Sequence, residues 1–466
     1  MAELLPGWWS TELLESFSWL ALAAGVLALI LTTGRRLGRR LQLPLWGIPE
    51  ALLAGVLGLL IAPDGLLPLL PVHLMELWEG LPLVLLTLVF GSLMIGKPLP
   101  QWRGVWRPVG GQVSLALVLG FGQYVVAGLA VLLVLQPLLG FSPVMACLIE
   151  VAFEGGHGSA AAMGPSYAAL GFEGGKDLGL AMATVGLLAS TLVGGLVVVL
   201  GRQRGWLLSQ TNPQPSDTAT PSSGGQAPIQ HPLWAAWPVN LALVGVAVLI
   251  GTGLLQLLRL GTDAIGGGVA AVGASMPVFP LAIIGSLLVR WVLENRGLTH
   301  WASPPIQSEL STLAADLLIT SATACLNLAL LGSNWLPLTV LAVAGLGWNL
   351  AITLLLAPKV LPADWFERAV IEFGQATGVA ASGLLLLRMA DPEDRSDALP
   401  AFSLKQLLLQ PFLAGGVVTV VAPLAVAGWG LPAWTGFCLV VVLLAGAGGL
   451  LLAQVGRNSG ASLPQP

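Results

Sequence analysis

The 466-residue chain is 56% apolar and only 9% charged, with a formal net charge of −4 and a mean hydropathy of +0.86. These values exclude a soluble globular protein of this size and give no reason to expect a nucleic-acid partner. They describe an all-α polytopic membrane protein, because lipid offers backbone polar groups no partner outside a helix or a closed barrel.

A helix needs about 20 mainly apolar residues to cross about 30 Å of hydrocarbon. Stretches near that length cover residues 16–33, 47–62, 80–96, 111–138 and 178–200, then 239–258, 276–293, 309–331, 336–357, 405–426 and 433–453. The first follows Glu3, Glu12 and Glu15 and lacks a small-residue cleavage pattern, so it reads as a retained helix rather than a signal peptide. Arg35, Arg36, Arg39 and Arg40 come next and place the N-terminus outside by the positive-inside rule. Every later Lys and Arg except Lys176 and Arg259 then falls inside, Lys405 among them, and so does the C-terminus. This pattern requires residues 139–177 and 364–404 each to hold a hairpin that enters the membrane and returns, or no membrane segment at all. The seventeen tryptophans cluster near helix ends as interfacial anchors, and Cys147, Cys325 and Cys438 read as core residues without a disulfide or zinc pattern.

Residues 209–232, SQTNPQPSDTATPSSGGQAPIQHP, contain almost nothing to bury and read as a disordered cytoplasmic linker. The expected organisation is an N-terminal repeat over 1–204, a linker over 205–237, a C-terminal repeat over 238–428, and an extra helix with its tail over 429–466. IPEALLAGVLGLLI (48–61) aligns with MPVFPLAIIGSLLV (276–289), pairing Leu53 with Leu281 and Ala54 with Ala282. EGGHGSAAA (154–162) aligns better with EFGQATGVA (372–380), pairing Glu154 with Glu372, Gly156 with Gly374, His157 with Gln375, and Ser159 with Thr377. Each polar segment follows the fourth helix of its half, giving hairpins at about 143–176 and 367–392. Five crossings per half is odd, so the second half lies inverted relative to the first. Two inverted repeats, each with an irregular glycine-containing segment, form the architecture of a secondary transporter with its site near the midplane.

Backbone at membrane depth leaves the helix only where protein or cavity water satisfies it, and glycine permits the turn. Broken helix ends offer N–H groups to an anion and carbonyls to a cation. Ser159 and Thr377 supply hydroxyl oxygens where a Na⁺ ligand would be useful.

GGHGSAAAMG (155–164), followed by LGLAMATVGLLASTLVGGLV (178–197), resembles the first-half signature of the sodium/glutamate symporter family. The resemblance extends more weakly over about residues 16–426 and implies two five-helix halves with a re-entrant loop each, a homodimer, and elevator-like carriage of L-glutamate with Na⁺ across a bacterial cytoplasmic membrane. Carried onto matching positions, it implies site residues Gly155, Gly156, His157, Gly158 and Ser159, with Gly374, Thr377 and Gly378 in the second hairpin. The chain departs from the family pattern at Ala160, in the shortened GQATG run, in Glu154 and Glu372, and in the extra helix.

An ionised carboxylate at the membrane centre costs at least about 2.5–3.5 kcal/mol and is rarely idle. Glu150, Glu154, Asp316 and Glu372 lie at that depth. In a functional role Glu154 and Glu372 bind the coupling cation, with Ser159 and Thr377 as further Na⁺ ligands, and Asp316 and Asn327 face the same cavity. In a structural role the acids sit at the interface, are protonated, or pair with Arg388 and Lys176. Two uncompensated carboxylates would repel an anion until neutralised, which orders cation before substrate. His157 either contacts substrate or braces the hairpin, and Arg388 either meets a second substrate carboxylate or lies on the cytoplasmic rim.

No cofactor is expected; Na⁺ is the coupling ion. The chain contains no H-E-x-x-H, G-x-S-x-G or P-loop pattern, which argues against an intramembrane hydrolase or ATP-driven transport. A carrier of another small anion coupled to H⁺ or Na⁺ is the closest alternative, and a passive channel a remote one.

Overall fold

The computed structural model describes residues 11–43, 49–63, 65–99, 106–208, 233–266, 270, 273–274, 276–393 and 395–458. The expected linker, residues 209–232, lies outside them. Among the described residues the regular structure is helical, and eight helices are long and apolar enough to cross a membrane.

The helices fall into two packed groups. One is made of α1 (Thr11–Arg40), α2 (Glu50–Ile61) and α3 (Val72–Leu93) together with α8 (Leu233–Ile265), α9 (Phe279–Asn295) and α10 (Pro304–Ala324), when the intervening helices of the second group take the labels α4 to α7. The second group is built on α4 (Trp106–Ala130, continued through a π turn and a short helix to Leu139), α5 (Leu148–Phe153), α6 (Gly156–Ala162) and α7 (Gly175–Arg204). Its other members are α11 (Trp335–Leu355), α12 (Trp365–Ala390), α13 (Ala398–Leu409), α14 (Val417–Trp429) and α15 (Leu431–Asn458). Each group therefore takes its helices from both sides of the 209–232 segment.

Close packing between these helices relies on residues without bulk. A Cβ on Gly34 would lie 2.4 Å from Ala54 Cβ, and one on Gly55 would lie 2.4 Å from Thr323 Cβ, so α1, α2 and α10 approach backbone to backbone. Thr320 Oγ1 donates to the Ala51 carbonyl at 3.2 Å across the same contact.

Four of the eleven expected stretches differ from single crossing helices. α2 spans 12 residues and α9 spans 17, both shorter than their hydropathy suggests. α10 reaches 21 residues, but its first turns carry Gln307, Ser308, Glu309, Ser311 and Thr312, too polar for an ordinary lipid-facing span. The 405–426 stretch is broken into α13 and α14 at residues 410–416, where Ala414 (φ 56°) and Gly415 (φ 92°) turn the chain. Apolar composition hides such a break, because hydropathy does not register backbone dihedrals.

Candidate functional site

Two chain reversals face each other in the second group. In the first, Gly156 has φ 71° and separates α5 from α6. A Cβ on Gly155 would lie 2.5 Å from the Val151 carbonyl oxygen and 2.6 Å from Ser159 Cβ. Residues eight apart in a straight helix are about 12 Å apart, so the chain has folded back. In the second, α12 loses helical geometry at Gly378 (φ −155°) and Val379 (φ 68°). A Cβ on Gly374 would lie 2.5 Å from Gly383 Cα, which a continuous helix would hold about 13.5 Å away. The two arms touch along glycine, and Ser382 Oγ donates to the Gly378 carbonyl at 2.5 Å.

The tips meet: a Cβ on Gly156 would stand 2.4 Å from Val379 Cγ1. Beside them a cavity of about 620 Å³ lies between the groups, walled by Phe90 of α3 and Thr312 and Asp316 of α10 on one side and by the tips on the other. That volume lies within the range of small-molecule sites, roughly 300–1,000 Å³.

Of the expected site residues, Glu154, Gly155, Gly156, His157, Gly158, Ser159, Gln375, Gly378 and Asp316 line this cavity. Glu154 is 6% exposed and its Oε2 is buried without a hydrogen bond, as is Ser159 Oγ. His157 Nε2 lies 2.9 Å from Thr184 Oγ1, and that hydroxyl donates its proton to the Leu180 carbonyl at 3.1 Å. The hydroxyl therefore accepts from Nε2–H, which assigns the ring tautomer. His157 both braces the hairpin and faces the cavity.

Other expected residues lie elsewhere. Glu150 does not line the cavity: Tyr124 donates to it at 2.6 Å, Thr419 at 2.9 Å and the Ala414 amide at 3.2 Å, which ties α4, the first hairpin and the α13–α14 break together. Asn327 is not at the cavity but caps a short helix, accepting from the Leu330 amide at 3.0 Å. Arg388 is exposed on the far arm of α12, away from the cavity lining. Gly374 serves the contact between the arms rather than the cavity wall. Asp316 is salt-bridged to Arg35 Nη2 at 2.5 Å. The four oxygens expected to share a Na⁺ do not share one cavity, because Thr377 and Glu372 are engaged behind the second tip.

The partners of those two residues are new. Asn349 Nδ2 donates to the Ala376 carbonyl at 2.8 Å and to Thr377 Oγ1 at 3.1 Å, and Gln123 Nε2 donates to Ala376 at 2.6 Å. These amides satisfy the Ala376 carbonyl beside the break in the helix. Lys405, expected at the cytoplasmic rim, is instead buried at 1% exposure with Nζ 2.8 Å from Glu372 Oε2, while Gln112 donates to Oε1 at 2.9 Å. Amide side chains in apolar helices were the available signal for Gln112, Gln123 and Asn349; Lys405 sits so near a stretch boundary that its depth was not legible.

Residues 18–375 match the sequence profile described as sodium/glutamate symporter. The chain belongs to the sodium/glutamate symporter family. Members of this family are secondary transporters, so this symporter-family chain is a multi-pass membrane protein. No curated protein matches it. Among solved structures it is similar to the sodium proton antiporter MjNhaP1 from Methanocaldococcus jannaschii at 17% identity and a TM-score of 0.39, over 92% of this chain and 99% of that one. A likeness at that level transfers neither detailed fold nor function.

Proposed function

We propose that this chain is a secondary active transporter that couples inward movement of Na⁺ to uptake of L-glutamate in a bacterial cytoplasmic membrane. The carrying observation is the cavity between the two helix groups, walled on one side by both hairpin tips. The halves 1–204 and 238–428 are read as inverted repeats with re-entrant hairpins. In alternating access the hairpin-bearing group slides as a body against α1–α3 and α8–α10, with the N-terminus outside, the C-terminus inside, and the functional unit a homodimer.

The electrostatics support coupling. Glu154 and Asp316 are the ionisable acids of the cavity wall, and no Lys or Arg lines it. Arg35 already compensates Asp316, so Glu154 is the wall acid without an ion-pair partner; a dicarboxylate entering this space is repelled by it until a cation has bound, so cation precedes substrate. One Na⁺ moving inward at about 100 mV supplies roughly 2.3 kcal/mol from the potential, besides its own gradient. The unpaired carboxylate of Glu154 also suits proton coupling or another small anion, which is the second reading.

The test is uptake of labelled L-glutamate by proteoliposomes under an inward Na⁺ gradient, an H⁺ gradient, or neither. Accumulation driven by Na⁺ is expected. Accumulation driven by H⁺ alone overturns the cation assignment, and no accumulation overturns the substrate.

A further inference from the structure

Glu154 and Glu372 align in sequence, although Glu154 stands two residues before the first tip at Gly156 and Glu372 six before the break at Gly378, and their surroundings differ. Glu372 is saturated: Lys405 contacts one oxygen at 2.8 Å and Gln112 the other at 2.9 Å. The ammonium is equally well served, since Nζ also donates to Gln406 Oε1 at 3.0 Å and Gln375 Oε1 at 3.2 Å. Three oxygens therefore use its three protons. Its position 4.5 Å from the centre of the Phe402 ring adds a cation–π contact. A lysine held in this way, in a buried pocket of one carboxylate and two amide oxygens, stands where a small cation would otherwise be needed. Glu154 has no such hydrogen-bonded partner: its Oε2 is bare and buried against Gly120 of α4, and Ser159, another residue of the cavity wall, has an equally bare hydroxyl.

We propose that Lys405 is a covalently tethered counter-cation for the second hairpin, so that the carrier takes up a coupling cation at Glu154 and Ser159 and none at Glu372. This rests on the reading of the chain as a Na⁺-coupled carrier. The two hairpins share an acidic design, and the second carries its own cation permanently. Fewer Na⁺ ions then bind per cycle than two open acidic hairpins would require.

The experiment is a Na⁺ titration of the purified full-length protein, read by Na⁺-induced thermal stabilisation and by tryptophan fluorescence, alongside ²²Na⁺ counted per substrate in proteoliposomes. The wild-type protein is expected to titrate as one site that E154Q removes. K405M is expected to gain a second Na⁺-dependent step, with roughly one more ²²Na⁺ per substrate, because it frees the Glu372 carboxylate. E372Q/K405M, which removes both charges, is expected to return to the wild-type titration. If K405M does not fold, the double variant carries the test: an unchanged Na⁺ titration supports the assignment and a changed one overturns it. An unchanged response in folded K405M, or no Na⁺ response in the wild-type protein, overturns it as well. Binding is read without glutamate, so failure of glutamate uptake alone counts against the substrate and leaves the Lys405 assignment standing.

Discussion

Gly156 and Val379 touch where the two hairpins meet, and both have a left-handed backbone, φ 71° and 68°. Left-handed φ is free for glycine and rare for a β-branched residue, and such strain concentrates where structure over-determines it. At Gly156 any side chain brings two penalties, the dihedral and a Cβ 2.4 Å from Val379 Cγ1. The G156A variant is therefore expected to shift the tips by about 1–2 kcal/mol, a factor of roughly 5–30 in the competent population. Initial uptake rates at matched expression check this, and wild-type rates would count against a tip-to-tip role.

The contact between Gly374 and Gly383 makes a separate prediction about stability. A methyl at residue 374 would overlap the Gly383 backbone at 2.5 Å, and backbone cannot move aside as a flexible side chain does. G374A should cost about 1–3 kcal/mol, the range for overpacking, and lower the thermal midpoint in detergent. An unchanged midpoint would show that the arms separate freely.

The two hairpin acids should respond differently to neutralisation. E154Q removes an unpaired carboxylate and is expected to retain folding while losing the Na⁺-dependent step of the titration. E372Q leaves the Lys405 ammonium buried without its counter-charge, and breaking a buried pair costs about 3–5 kcal/mol. Thermal unfolding and Na⁺ titration of the two variants side by side distinguish these outcomes.

Glu150 is a structural acceptor, so its neighbours predict stability rather than transport. Y124F removes a 2.6 Å hydrogen bond to a carboxylate and should cost about 1.5–3 kcal/mol. The Na⁺ dependence of the folded variant is expected to match the wild type. A shifted Na⁺ dependence with unchanged stability would return Glu150 to the coupling machinery.

Arg388 is exposed and outside the cavity, so R388A should leave the glutamate concentration for half-maximal uptake within about twofold of wild type, as for surface substitutions within about 0.5 kcal/mol. A tenfold rise would place a substrate carboxylate at the distal arm.

Much of the site was legible from glycine and charge. GGHGS and GQATG each contain a reversal, because a turn at membrane depth needs residues of this type, but the alignment of Glu154 with Glu372 does not superpose the two breaks, which fall two residues after Glu154 and six after Glu372. Asp316, conspicuous as an acid in an apolar stretch, lines the cavity and pairs with Arg35. What each acid contacts was not legible, since Glu150 finds Thr419 and Glu372 finds Lys405 only through tertiary packing. The break at Ala414 and Gly415 leaves no mark in the sequence, because its flanks are as apolar as a continuous helix.

The helix beyond the tenth stretch, α15, packs on α4: Ser114 Oγ donates to the Ala445 carbonyl at 2.6 Å, and Trp434 sits edge-on to Tyr124 with ring centres 5.5 Å apart. Its outer face leaves Leu443, Leu444 and Leu451 exposed, an apolar surface suited to hydrocarbon. Because α4 also holds Glu372 through Gln112 and the broken end of α12 through Gln123, α15 is fixed to the part that carries the tips. Any displacement of that part must drag a lipid-facing surface through the bilayer. The thickness and fluidity of the surrounding lipid then become loads on the carrier's turnover, applied far from the cavity.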